Sequence, residues 1–185
     1  IALNSDLPVD VPAMTINEVC GSGMKAVILA RQLIQLGEAE LVIAGGTESM
    51  SQAPMLKQYQ SETNEYGEPI SSMVNDGLTD AFSNAHMGLT AENVATQFSV
   101  SREEQDRYAL SSQLKAAHAV EAGVFSEEII PVKISDEDVL SEDEAVRGNS
   151  TLEKLGTLRT VFSEEGTVTA GNASPLNDGA SVVIL

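Results

Sequence analysis

One cysteine, two histidines and ten lysines and arginines are all that 185 residues offer in those three chemistries. A single thiol excludes an intrachain disulfide, and with it the small secreted scaffolds that depend on crosslinks. That usage suits a reducing compartment, so a cytoplasmic location is expected. The ten basic residues stand against 28 acidic ones, a formal net charge of −18. Affinity for nucleic acid rests on neutralising phosphates, so this balance argues against a nucleic-acid partner. No apolar run approaches the roughly 20 residues that span a bilayer, and no membrane partner is expected. The stretch Asp136-Glu137-Asp138 and Glu142-Asp143-Glu144 carries no histidine and no ordered ligand spacing. It reads as a solvated loop, so no metal site is expected. No signal-peptide pattern is present, and neither is an initiator Met. The chain opens at Ile1 and closes on the apolar run Ser181-Val182-Val183-Ile184-Leu185, so both ends read as cut.

What is present is ordinary for a globular protein, with 42% hydrophobic residues. The length supports one sizeable core plus an elaboration. Ile1 to Pro12 is a polar lead-in, and Met14 to Val19 favours a short strand. Ser22 to Leu36 reads as a helix that is apolar on most sides, the pattern of a helix buried between layers. Gly37 ends it as a C′ glycine would. Leu41 to Ala44 then reads as a strand covered on both faces, which would complete a βαβ unit. Gln52 to about Ser83 is too long for a simple connection, and is expected to be an inserted excursion or an assembly surface. Thr90 to Phe98 is a short helix. Ser101 and Glu104 form a capping box that opens a helix stopping at Gly123. Glu127 to Ile134 is strand-like, Arg147 to Phe162 loop-like, and Thr167 to Ala170 a strand. Asn177-Asp178-Gly179 signals a turn before an apolar strand from Ala180 to Leu185. There is no internal repeat.

The chemistry gathers at Cys20, where the strand-like run gives way to the helix-like one. Unpaired N–H groups and the macrodipole at a helix N-terminus favour a thiolate. Gly21 and Gly23 permit a sharp turn and close approach of a substrate, the geometry of a nucleophile elbow with sulfur in place of oxygen. The competing reading is a buried cysteine acting as a small hydrophobe.

Five stretches carry a resemblance. Cys20-Gly21-Ser22-Gly23, Ala44 to Ser51, His86-Met87-Gly88, Thr90 to Ala95 and Thr169-Ala170-Gly171-Asn172-Ala173-Ser174 resemble the thiolases, specifically acetyl-CoA acetyltransferases, in order over nearly the whole chain. The resemblance implies a thiolase-like layered α/β fold: a partial N-terminal domain, with a mixed sheet and buried helix, plus an inserted α+β loop domain. Its expected boundaries are 1–51 for core, 52–165 for the loop domain with oligomer and coenzyme contacts, and 166–185 for the return strands. The implied activity is forming or cleaving acetoacetyl-CoA, with acetyl-CoA as substrate, no tightly bound cofactor, and a homodimer or homotetramer as the assembly.

By the same resemblance Cys20 is the acyl carrier, His86 lies beside the pantetheine arm and Met87 lines the acyl pocket. Arg147 matches an arginine used on the nucleotide end of coenzyme A. Lys154 falls where a family member can carry a hydroxyl residue, a departure that reads either as an added phosphate contact or as a surface charge, and Ser174 matches a serine that hydrogen-bonds the pantetheine amide. His118 reads as surface decoration. Coenzyme A is polyanionic, so a chain this acidic needs a local cationic clamp. Three further family segments are missing: a Gly-His-Pro histidine, an Asn-Glu-Ala-Phe run and a second cysteine. The chain therefore reads as a fragment unable to complete turnover alone. Two alternatives stand beside this reading: a ketoacyl-synthase-like condensing enzyme, and a non-catalytic coenzyme A or acyl-binding module.

Overall fold

A computed structural model describes residues 1–185. It divides into two compact units, Ile1–Gly77 with Leu176–Leu185, and Leu78–Pro175.

In the first unit, helix α1 (Ser22–Gln35) ends as predicted, with Gly37 at φ +72°. The N–H of Gly37 bonds to Ile34 O and that of Glu38 to Leu33 O, the paired closure of a Schellman stop. Strand β1 (Ile43–Ser49) follows. It pairs antiparallel with the last strand of the chain, β8 (Asp178–Ile184), in a register running from Ile43↔Ile184 to Ser49↔Asp178. Between them lie β2 (Met55–Leu56), β3 (Tyr59–Gln60), β4 (Glu65–Tyr66) and β5 (Ile70–Ser71). Met55 pairs with Ser71 and Tyr59 with Tyr66, so the excursion is one antiparallel ribbon. Its register shifts by a residue between the two pairs, a bulge that leaves an extra residue on the returning strand. Tyr59 and Tyr66 meet edge to face across the ribbon at 5.4 Å.

Four expectations for this unit are corrected. The strand expected over Met14 to Val19 is absent: no neighbour completes a ladder with Met14 to Glu18 and Val19 opens a 3-10 turn, so there is no βαβ unit. The sheet is not mixed, since every strand pair is antiparallel. Helix α1 is not buried: it packs on β1, only Ala30 is enclosed, and Met24 and Leu36 are each 73% exposed. Nothing in the unit covers its remaining apolar sides. The turn expected at Asn177 to Gly179 is also absent. Asp178 opens β8 instead, its carboxylate accepting the Ser51 N–H at 2.9 Å.

The second unit holds α2 (Met87–Phe98), α3 (Arg102–Glu121), β6 (Val132–Lys133), β7 (Val139–Leu140) and α4 (Leu152–Gly156). Helix α3 opens on the predicted capping box: Ser101 Oγ accepts from the Glu104 N–H, and Glu104 Oε2 accepts the Ser101 N–H at 2.8 Å. It stops with Gly123 at φ +66°. The strand expected over Glu127 to Ile134 shrinks to Val132–Lys133, and the loop expected over Arg147 to Phe162 contains α4. Thr167 to Ala170 makes only an isolated bridge, Thr160↔Thr169. Side chains have taken the N–H groups a ladder would need: Glu92 accepts from Thr167 and Val168, and Asn172 Oδ1 accepts from Thr169. No helix is long and apolar enough to cross a membrane.

Candidate functional site

The six residues singled out from the sequence divide between the units, Cys20 in the first and the other five in the second. Cys20 is exposed and lies in a 3-10 turn, Val19–Gly21, that runs directly into α1. Gly21 is the N-cap of α1 and supplies no side-chain hydrogen bond, while the Glu18 carboxylate lies alongside this turn, paired with Lys25 at 3.1 Å. Val19, immediately before it, sits at φ +52°. A β-branched residue in the left-handed region stores roughly 1–3 kcal/mol of strain, which its surroundings must hold in place. They do so with three hydrogen bonds. Asn17 Oδ1 accepts the Val19 N–H at 2.8 Å, Ser22 Oγ accepts the Glu18 N–H at 2.8 Å, and the Ser22 hydroxyl donates to Val19 O at 2.7 Å. The sulfur thus stands on a fixed, strained corner at a helix N-terminus. The hydrogen-bonding roles of Asn17 and Ser22 are not legible in the sequence alone, because their partners are mostly backbone groups that only this turn brings round.

In the second unit His86 is the N-cap of α2, and its Nδ1 accepts the Gly88 N–H at 3.0 Å. A neutral imidazole has one donor and one acceptor nitrogen, so this bond leaves the proton on Nε2. The Phe162 ring stacks on the imidazole, centroids 4.9 Å apart and planes 25° from parallel. Gly88 makes the stack possible, since a Cβ there would lie 2.3 Å from the Phe162 ring. Met87, the first residue of α2, is half exposed.

Arg147 is exposed, its N–H donating to Gln113 Oε1 and its Nη1 to Glu144 O, both at 2.7 Å. Lys154 lies on α4, and its Nζ reaches Asn149 O at 3.3 Å. Neither takes part in an ion pair, so both charges remain available to an anion. Ser174 is exposed on the loop after Asn172.

A buried polar network that the sequence reading missed underlies that loop. Both Glu92 oxygens receive the Thr167 N–H, at 2.9 and 2.8 Å, and Oε2 also accepts the Thr167 hydroxyl. Burial pushes the Glu92 carboxyl up, but the hydrogen bonds from Val168 and Thr167 outweigh it and hold the group below its usual value. Asp106, 3% exposed, pairs with Arg102 Nε at 2.8 Å and accepts Asn172 Nδ2 at 3.0 Å. The structure therefore draws the α4 stretch and the Ser174 loop together around α3. No group of three or more His, Cys, Asp or Glu side chains is arranged to hold a metal ion.

A family model described as "Thiolase, N-terminal domain" matches residues 1–185. The chain belongs to the thiolase family. Among curated relatives, a "probable acetyl-CoA acyltransferase" of Staphylococcus epidermidis is 48% identical over 190 residues, covering 100% of this chain and 48% of the relative. One of the same name from Staphylococcus aureus is 50% identical with the same coverage. Human mitochondrial 3-ketoacyl-CoA thiolase, solved in complex with CoA, superposes with a TM-score of 0.90 at 41% identity, covering 98% of this chain and 46% of that one. This thiolase chain spans about half the length of the relatives it matches. Membership sets aside the ketoacyl-synthase-like alternative and agrees with the expected thiolase-like α/β fold, apart from the local corrections above.

Proposed function

We propose that the whole protein is an acetyl-CoA C-acetyltransferase that forms or cleaves acetoacetyl-CoA through an acyl-cysteine. The observation that carries this reading is the exposed Cys20 on its strained corner at the start of α1. In the forming direction the Cys20 thiolate attacks the thioester carbonyl of one acetyl-CoA. The bond from carbonyl carbon to coenzyme sulfur breaks, and the coenzyme leaves as a thiolate that takes up a proton. A second acetyl-CoA, deprotonated at its α-carbon, then attacks the acetyl group, and the Cys20 sulfur leaves. Backbone N–H groups at the start of α1 suit the oxyanion formed in each step.

The remaining assignments are proposals of the same reading. His86 meets the pantetheine arm as a donor through Nε2, and Met87 lines the acyl pocket. Arg147 and Lys154 bind phosphate, a role for which a guanidinium fork is well shaped. Ser174 bonds the pantetheine amide. The segment 52–165 is the loop domain inserted in the core, coenzyme A is bound only as substrate, and the assembly is a cytoplasmic homodimer or homotetramer.

Intact-mass measurement of the whole protein after incubation with acetyl-CoA tests the central step. One acetyl group mapped to Cys20 is expected, and none in Cys20→Ser. A folded protein that binds coenzyme A but gains no acetyl group would instead be a binding module.

A further inference from the structure

We propose that Asp106 is a positioning residue that holds two coenzyme-binding segments in one register: α4 with Lys154, and the loop with Ser174. The proposal rests on the reading of those two residues as coenzyme contacts. A carboxylate buried to 3% exposure is costly unless each oxygen is bonded, and the two oxygens of Asp106 serve different segments. Oδ2 takes Arg102 Nε at 2.8 Å, and the same guanidinium sends Nη2 to Leu155 O at 2.7 Å and Leu158 O at 3.0 Å. The Leu155 carbonyl lies in the last turn of α4 and that of Leu158 two residues beyond it, where a cation also suits the helix dipole. Oδ1 takes Asn172 Nδ2 at 3.0 Å. The Asn172 amide further donates to Thr167 O at 3.1 Å and accepts the Thr169 N–H at 2.7 Å, closing the turn that leads to Ser174.

A packing contact makes the same connection independently. A Cβ on Gly171 would lie 2.6 Å from Leu155 Cδ2 and 2.5 Å from Leu158 Cδ1. Loop and helix therefore touch with no spare volume, and a shift of either is transmitted to the other. Asp106 joins them through polar groups and Gly171 through apolar ones. A ligand that needs a phosphate contact from one segment and an amide contact from the other depends on that spacing, although Asp106 touches neither contact.

The test combines hydrogen exchange read by mass spectrometry with calorimetric titration of coenzyme A, both on the whole protein. Asp106→Asn keeps the shape and removes the charge. Exchange is expected to quicken in both 152–158 and 167–172 while α2 stays protected, and coenzyme affinity to fall about tenfold, the worth of one charged hydrogen bond. Quickening in one segment alone, uniform quickening across 78–175, or unchanged affinity would overturn the role. An unmutated whole protein that takes up no coenzyme A removes the reading of Lys154 and Ser174, and the role falls with it, a result told apart by the parent titration alone. Should Asp106→Asn fail to fold, Arg102→Lys and Asn172→Ala each cut one arm. Their joint effect on affinity is expected to be smaller than the product of the single effects, and a simple product would overturn the proposal.

Discussion

Gly88 leaves no room for even a methyl group, because Phe162 already fills the space a Cβ would need. Gly88→Ala must therefore displace the ring that stacks on His86, at a cost of roughly 1–3 kcal/mol for overpacking. A fall in denaturation midpoint at unchanged slope checks this. At Arg147 the expectation concerns binding. Arg147→Glu should weaken coenzyme A binding and flatten its dependence on salt, since an unpaired cation is replaced by an anion. Titration at two ionic strengths reads both effects, and unchanged affinity would remove Arg147 from the proposed clamp. At this scale the sequence was informative where chemistry is local. Cys20 and His86 stand out by residue type and by their neighbours along the chain. Glu92, Asp106 and Phe162 do not, because their partners come from far away: Glu92 meets Thr167 across 75 residues and Asp106 meets Asn172 across 66. No spacing rule links such positions.

Helix ends were legible for the same reason. Gly37, Gly123 and the Ser101–Glu104 box act within a single turn, and each lies where the pattern puts it. The start of α2 was placed three residues late, because histidine is not among the usual N-cap residues and yet His86 serves as one. Strands fared worse, since a strand exists only with its partner. Thr167 to Ala170 has strand-like composition, but its donors are bonded to Glu92 and Asn172. This gives α2 a pH-dependent hold on that segment. The Glu92 carboxyl lies below its ordinary 4.5 in the folded chain, so its contribution is complete above that value and disappears as pH falls through the lowered one. Glu92→Gln should cost about 1–3 kcal/mol at neutral pH, the penalty for leaving buried donors unmatched. The gap from the parent should close on acidification below about 4.5, as denaturation curves at several pH values would register.

For the molecule as a whole, the apolar sides of α1 led to an expectation of burial that the chain does not itself supply. Periodicity reports that a face is apolar and says nothing of where its cover comes from. Acidity contributes separately: a net charge of −18 means that residues binding a polyanion work against the field of their own chain.

The pairing of β1 with β8 has a consequence for the order of assembly. Thr47 Oγ1 donates to Gly179 O across 132 residues, and closing so wide a loop costs entropy that local contacts do not. All of 78–175 lies inside that loop, and its helices and polar ties can form without waiting for the two ends to meet. The first unit is therefore expected to close last, with β8 as the final tooth. Removing 176–185 should leave amide protection in α2 and α3 intact while β1 exchanges freely. Loss of protection in both helices would show that the inner segment depends on the closure around it.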